Sequence, residues 1–134
     1  MEKVFENQFI TIYYESDKLL LPHYWTDKTA EMSDEDFREN ISTILKFIIQ
    51  KGAKNLLSDS MKFYFPISPE SQEWVNTSFF PAVIKEGLKK YAIMMTTDFL
   101  SQLSIEQTIE EEAGQLLPVK YFDDEQKARE WIAK

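Results

Sequence analysis

A chain of 134 residues with 43% hydrophobic and 28% charged residues is not a disordered chain, and it is long enough to bury roughly 68% of its unfolded surface around one core. Fifteen Lys and Arg against 23 Asp and Glu give a formal charge of -8, which repels phosphate backbones and anionic headgroups and argues against a nucleic-acid partner. With no cysteine there is no disulfide framework, thiolate metal site or thiol nucleophile.

One domain over residues 1–134 is therefore expected. Met1–Glu6 has no basic segment followed by an apolar run, and no stretch approaches the ~18 apolar residues of a membrane span. A cytoplasmic protein without integral membrane association is the expectation.

Gln8 to Glu15 and Lys18 to Trp25 are rich in β-branched and aromatic residues across the short link Ser16-Asp17, which predicts an antiparallel hairpin. Pro22 cannot donate to a ladder, so the second strand is expected at a sheet edge or interrupted there. From Ser33 the period changes. Phe37, Ile41, Ile44, Leu45 and Ile48 form one apolar stripe, with a capping box at Ser33 and Asp36 and a natural stop at Gly52, predicting a helix.

Asn55 to Ser58, Lys89 to Thr96 and Val119 to Phe122 read as strands separated by helical segments. Ser68-Pro69-Glu70 supplies a cap, a first-turn proline and an acid. The helix it starts should carry Trp74, Val75, Ser78 and Phe79 inward, and Pro81 should kink or break it, leaving Ala82 to Glu86 as a further turn before Gly87. Phe99 to Ala113 is predicted as an amphipathic helix, and Asp123 to Ala133 as the last. The order β-β-α-β-α-β-α-β-α implies an α/β mixed sheet, a hairpin followed by right-handed βα units with largely parallel strands.

The element order and several residue groups resemble the SpoIIAA-like group of the STAS superfamily, the domains of anti-sigma-factor antagonists and of sulfate transporter tails. The matching pieces are Phe37-Arg38, Leu56-Leu57-Ser58-Asp59, Glu73-Trp74-Val75, Gly87-Leu88-Lys89-Lys90-Tyr91-Ala92, Phe122-Asp123 and Glu130-Trp131-Ile132. They are core and cap positions, so they bear on fold more than on function. The resemblance implies a non-enzymatic regulatory or protein-interaction module. In the antagonists a serine at a helix start is phosphorylated by a partner kinase; their Asp-Ser-Ser-Gly signature is absent, and the corresponding helix start reads Ser68-Pro69-Glu70-Ser71. The related Sec14-type lipid-transfer domains keep open a small apolar ligand, in a pocket lined from Trp25, Phe65, Trp74 and Phe79.

No catalytic constellation emerges from the residues. His23 is the only histidine, which leaves no second imidazole for a zinc site, and it reads as a strand residue beside Pro22. No glycine-rich phosphate loop occurs. No cofactor, metal or catalytic residue is therefore assigned. Asp59 and Ser60, with Thr96-Thr97-Asp98, follow predicted parallel strands, whose carboxyl ends are where crevices form in open α/β sheets. Asp98 also suits a helix cap. Phe63 and Phe65, in the loop after Asp59, are expected to add an apolar part. Asp59, Ser60, Phe63, Phe65 and Asp98 thus form the candidate partner- or ligand-binding face. The hairpin's second strand and these loop aromatics also suggest a weak homodimer. Acids at Asp34-Glu35-Asp36 and Asp123-Asp124-Glu125 suit first helical turns, whereas Glu110-Glu111-Glu112 sits where a helix disfavours negative charge.

Overall fold

The computed structural model describes residues 1–111 and 114–134. Among them, six strands form one sheet in the order β1-β2-β3-β4-β5-β6. β1 (Glu2–Glu6), β2 (Ile10–Tyr14) and β3 (Leu20–Trp25) pair antiparallel. β4 (Asn55–Asp59), β5 (Lys90–Met94) and β6 (Val119–Phe122) continue in parallel from β3. Five of these strands and their directions are those the sequence predicts. The additional one, β1, is a charged edge strand with a Lys3–Glu6 ion pair along it, tied to α1 by Lys51–Glu2 and by Phe5 packed on Phe47.

β3 is not an edge strand; it lies between β2 and β4. Leu20 exchanges both backbone hydrogen bonds with Glu15, so by the two-residue period the backbone of Pro22 also faces β2. The β2–β3 register is lost opposite Leu21 and Pro22 and present again at Ile12↔His23. The alternate residues face β4, where the register runs unbroken from Leu20↔Asn55 to Tyr24↔Asp59. Pro22 therefore interrupts one ladder and leaves the other whole. With both its sides covered, this strand offers no edge for self-association.

α1 (Asp34–Lys51) has the expected ends: Ser33 and Asp36 form a reciprocal capping box, and Gly52 closes the helix at φ 69°. α1, α2 (Pro69–Trp74), α3 (Phe80–Lys85) and α4 (Phe99–Glu110) cover one face of the sheet. α5 (Glu125–Ala133) covers the other, with Ala128 and Ile132 on Leu20, Leu57, Ala92 and Met94. The predicted extension of α4 to Ala113 lies outside the described residues.

Pro81 does not end its helix. A π-helical turn, Val75–Phe79, joins α2 to α3, and Pro81 falls in the first turn of α3, where a missing N–H costs least. The wider turn changes which side chains face inward. Asn76, Phe79 and Phe80 are buried and Ser78 is exposed, against the expectation for Ser78.

One ion pair fastens α5 to the sheet. Arg129 meets Glu15 in a bidentate contact, Nη1–Oε1 3.0 Å and Nη2–Oε2 2.8 Å, while its Nε donates to Glu125 at 2.9 Å. The Arg129 hydrogen bonds hold the Glu15 carboxyl below its ordinary 4.5, so this stabilisation is complete above that value and is lost as pH falls through the lowered one. We expect Arg129→Ala to cost about 2–3 kcal/mol at pH 7 by leaving nearly buried Glu15 with only the exposed Lys18 ammonium as a partner, at 3.4 Å. In urea melts its deficit should shrink below pH 4.5, and Glu15→Leu with Arg129→Leu together should cost less than Arg129→Ala alone.

Candidate functional site

The strands β4 and β5 end side by side, Asp59 opposite Met94, and Ser60 N–H donates to the Met94 carbonyl. Asp59 is half-buried. Its Oδ1 accepts from Met61 N–H at 3.1 Å, yet burial, aided by the nearby Glu125 charge, raises its carboxyl above the ordinary range. Asp98 caps α4: its Oδ2 accepts from Ser101 N–H at 3.0 Å and Ser101 Oγ at 2.6 Å. Thr96 Oγ1 accepts from Asp98 N–H. No hydrogen bond among the described residues joins the two carboxylates, so they act as separate local anchors.

Ser60 turns inward rather than toward solvent. Trp25 Nε1 donates to Ser58 Oγ at 3.1 Å, and Ser58 Oγ lies 3.2 Å from Ser60 Oγ. This hydroxyl line borders a cavity of about 60 Å³ between the sheet and the helices, lined also by Phe63, Val75, Phe79, Tyr91 and Thr108. Burial pushes the Tyr91 phenol up to about 12, with Ser58 as its polar neighbour. Water needs roughly 10–15 Å³, whereas a drug-sized ligand needs roughly 300 Å³ or more. The cavity as it stands suits water and not a lipid.

Of the residues expected to line an apolar pocket, Trp25 and Phe79 line this cavity, and Phe65 and Trp74 pack partly buried against the core. Phe63 is 2% exposed, edge-on to Trp25 and Phe37; Phe65 stacks on Phe37 at 5.3 Å. Phe63 supplies no outward apolar surface, and Phe65 is partly covered by the core. The reason is long-range: buried Thr29 accepts from Tyr64 N–H and donates to the Lys62 carbonyl, and Ser104 Oγ accepts from Ile67 N–H. These bonds strap the loop onto the core.

The exposed apolar side chains at this end are others. Met61 and Met95 follow β4 and β5, and α4 presents Phe99 at 74%, Leu100 at 60% and Leu103 at 40% exposure. The same helix buries Ser101, Ser104 and Thr108. A signal for this existed in FLSQLSIEQTIE: hydroxyls recur at 101, 104 and 108, the spacing of one helix face.

The helix start Ser68-Pro69-Glu70-Ser71 is occupied by an acid from α1. Ser68 Oγ and Ser71 Oγ both donate to Asp34 Oδ1 at 2.7 Å, and these bonds hold Asp34 below its ordinary range. A phosphate there would face that carboxylate.

His23 is 1% exposed, edge-on to Trp25, and its Nδ1 has no hydrogen-bond partner among the described residues. Among those residues no three His, Asp or Glu side chains are grouped to hold a metal ion. No helix among them is long and apolar enough to cross a membrane.

An antiparallel hairpin running into parallel strands, helices on one face and a closing helix on the other, is a STAS-type arrangement. The chain belongs to the SpoIIAA-like family, whose model matches residues 25–133. No curated protein and no solved structure matches it.

Two measurements separate scaffold from site. Burial lowers His23 from 6.5 to about 3, so only the unfolded chain takes up its proton in between, and stability falls as pH drops from 6.5 toward 3. Wild type should lose up to about 1.4 kcal/mol per pH unit there from this group, and His23→Leu should lack that slope between pH 6.5 and 5, above the main carboxylate range. At Asp98, denaturant melts should show Asp98→Asn near wild type and Asp98→Ala lower by about 1 kcal/mol, because Asn caps as Asp does.

Proposed function

We propose that the domain is a non-enzymatic regulatory module that docks a protein partner at the carboxyl end of its parallel strands. The observation that carries this reading is the group of solvent-facing apolar side chains there, Met61, Met95, Phe99, Leu100 and Leu103, bordered by Asp59 and Asp98. Scattered exposed apolar residues are ordinary, but adjacent ones at strand ends mark interaction surfaces. Family membership supports the reading, since SpoIIAA-like and other STAS domains generally act in protein regulation.

Carriage of a lipid-like ligand is the weaker alternative, because the cavity of about 60 Å³ would have to open severalfold. An enzymatic reading has less support. The lone imidazole is held neutral in the core, and Asp98 is committed to its cap.

Photo-crosslinking in cells tests the docking face. A photoreactive residue at Leu100 or Met95 should give discrete protein adducts that excess untagged protein competes away, and one at exposed Lys46 on α1 should not. An untagged Leu103→Ser competitor should compete poorly, although its stability should stay within about 0.5 kcal/mol of wild type, as for most surface changes. Equal adducts at Lys46, or full competition by Leu103→Ser, would refute the face.

A further inference from the structure

α4 is built inside out. Its sheet-facing side carries Ser101, Ser104 and Thr108 beside Ile105 and Ile109, while Phe99, Leu100 and Leu103 face solvent. The hydroxyls are satisfied within the fold: Ser104 Oγ donates to the Ser101 carbonyl and Thr108 Oγ1 to the Ser104 carbonyl, both at 2.7 Å. Nothing in the folding of this helix calls for three large apolar side chains outside. Beyond them the same helix turns acidic. Burial raises the Tyr121 phenol on β6, Glu106 and Glu110 lie close enough to add to that rise, and Glu111 follows, exposed.

Glu110 and Glu111 oppose their own helix, since carboxylates in a last turn meet the negative end of the dipole, whereas Glu106, one turn earlier, accepts from Gln102 Nε2 at 3.0 Å. No ion pair to Glu106, Glu110 or Glu111 occurs among the described residues. At the other end of α4 the surroundings are also acidic. Met95 N–H bonds the Phe122 carbonyl, which places Asp123 next to Met95, and Glu125 lies near Asp59. Lys62 is the cation that bears on Asp59.

We infer that α4 docks a cationic amphipathic helix, its apolar residues on Phe99, Leu100 and Leu103 and its Lys or Arg side chains toward Glu106, Glu110 and Glu111. This rests on the reading of the strand-end face as a docking face and names the chemistry of its partner. Charge decides between occupants. A second copy of this chain would set one acidic rim against another, and an anionic membrane would be repelled by a protein of net charge -8. A helix with both an apolar stripe and flanking cations satisfies both halves of α4, as in helix-in-groove recognition.

The test titrates a fluorescent synthetic amphipathic helix of leucine and lysine into the full chain. Two controls accompany it: a leucine and glutamate helix, and a lysine and serine helix with no apolar face. The leucine and lysine helix should bind alone, and more weakly as salt rises. Phe99→Ser with Leu103→Ser should weaken it by roughly tenfold, the scale of a lost apolar anchor. Glu106→Gln, Glu110→Gln and Glu111→Gln together should also weaken it, while the melting temperature holds or rises because the helix dipole is relieved. A structural role for these acids would instead lower the melting temperature.

Equal binding of either control helix, or indifference to the Phe99 and Leu103 changes, would overturn the inference. So would a dimer in sedimentation that Leu103→Ser dissociates, or binding to neutral phosphatidylcholine vesicles in preference to the peptide. Competed adducts at Leu100 in cells together with a failed peptide titration would sink the partner chemistry and leave the docking face standing. Absence of those adducts would remove both.

Discussion

The helix-facing side of the sheet depends on one hydrogen-bonded line, Trp25 Nε1 to Ser58 Oγ to Ser60 Oγ. β4 is covered on both faces, with Leu57 against α5 and Ser58 against the other helices. A serine in such a strand must find a partner, because a buried hydroxyl without one costs about 1–3 kcal/mol. The Trp25 indole is that partner, and it needs one in turn. Ser58 on β4, Ser60 just after it and one large ring on β3 then leave the space that the helices bridge without filling.

The elements above this line repeat the same economy of small polar groups bonded to nearby backbone. Asn76 Nδ2 bonds the Gln72 and Thr108 carbonyls, joining the π turn to α4. Ser104 and Thr108 back-bond along α4, and Ser104 also takes the Ile67 N–H. An interhelical layer made of hydroxyls and amides is held by direction as much as by packing. Its consequence reaches the surface. The loop after β4 is drawn inward, its aromatic rings join the core, and the apolar side chains of α4 are left outside.

What could be read from the sequence follows the range of the interaction responsible. The capping box at Ser33, the stop at Gly52 and the apolar stripe between them act within one helix, and they place α1 to the residue. The three parallel strands are short apolar runs between helical segments, and their pairing follows from topology. Pro22 shows the limit: its missing N–H breaks one ladder, as the local rule requires, but a strand has two sides and the rule does not say which neighbour is lost. β1 was illegible because Glu2, Lys3 and Glu6 mask an edge strand whose partners lie in β2 and α1. Phe63 and Phe65 read as outward because loops are usually on the surface; the bonds from Thr29 and Ser104 that turn them inward span more than thirty residues. Asp98 was legible as a cap for the opposite reason, since its partners lie three residues away.

The sheet also separates charge along its strands. Lys18, Lys51, Lys54, Lys85, Lys89 and Lys90 gather at the amino end, where Lys54 Nζ bonds the Glu86 carbonyl and Lys90 Nζ bonds the Trp131 carbonyl, closing helix ends. These cations are placed as helix dipoles favour. Asp59 stands at the carboxyl end with Asp98, Asp123, Asp124 and Glu125, the last four beside the amino termini of α4 and α5, which favour them. The polarity of the molecule therefore needs no functional cause at either pole, with one exception: Glu110 and Glu111 stand against their own helix dipole. Charge of this kind steers an approaching cation and fixes its orientation, but screened surface pairs add little to affinity. Affinity at the acidic pole must come from apolar burial, and the side chains able to supply it, Phe99, Leu100 and Leu103, lie on the same helix as the two acids that its dipole disfavours.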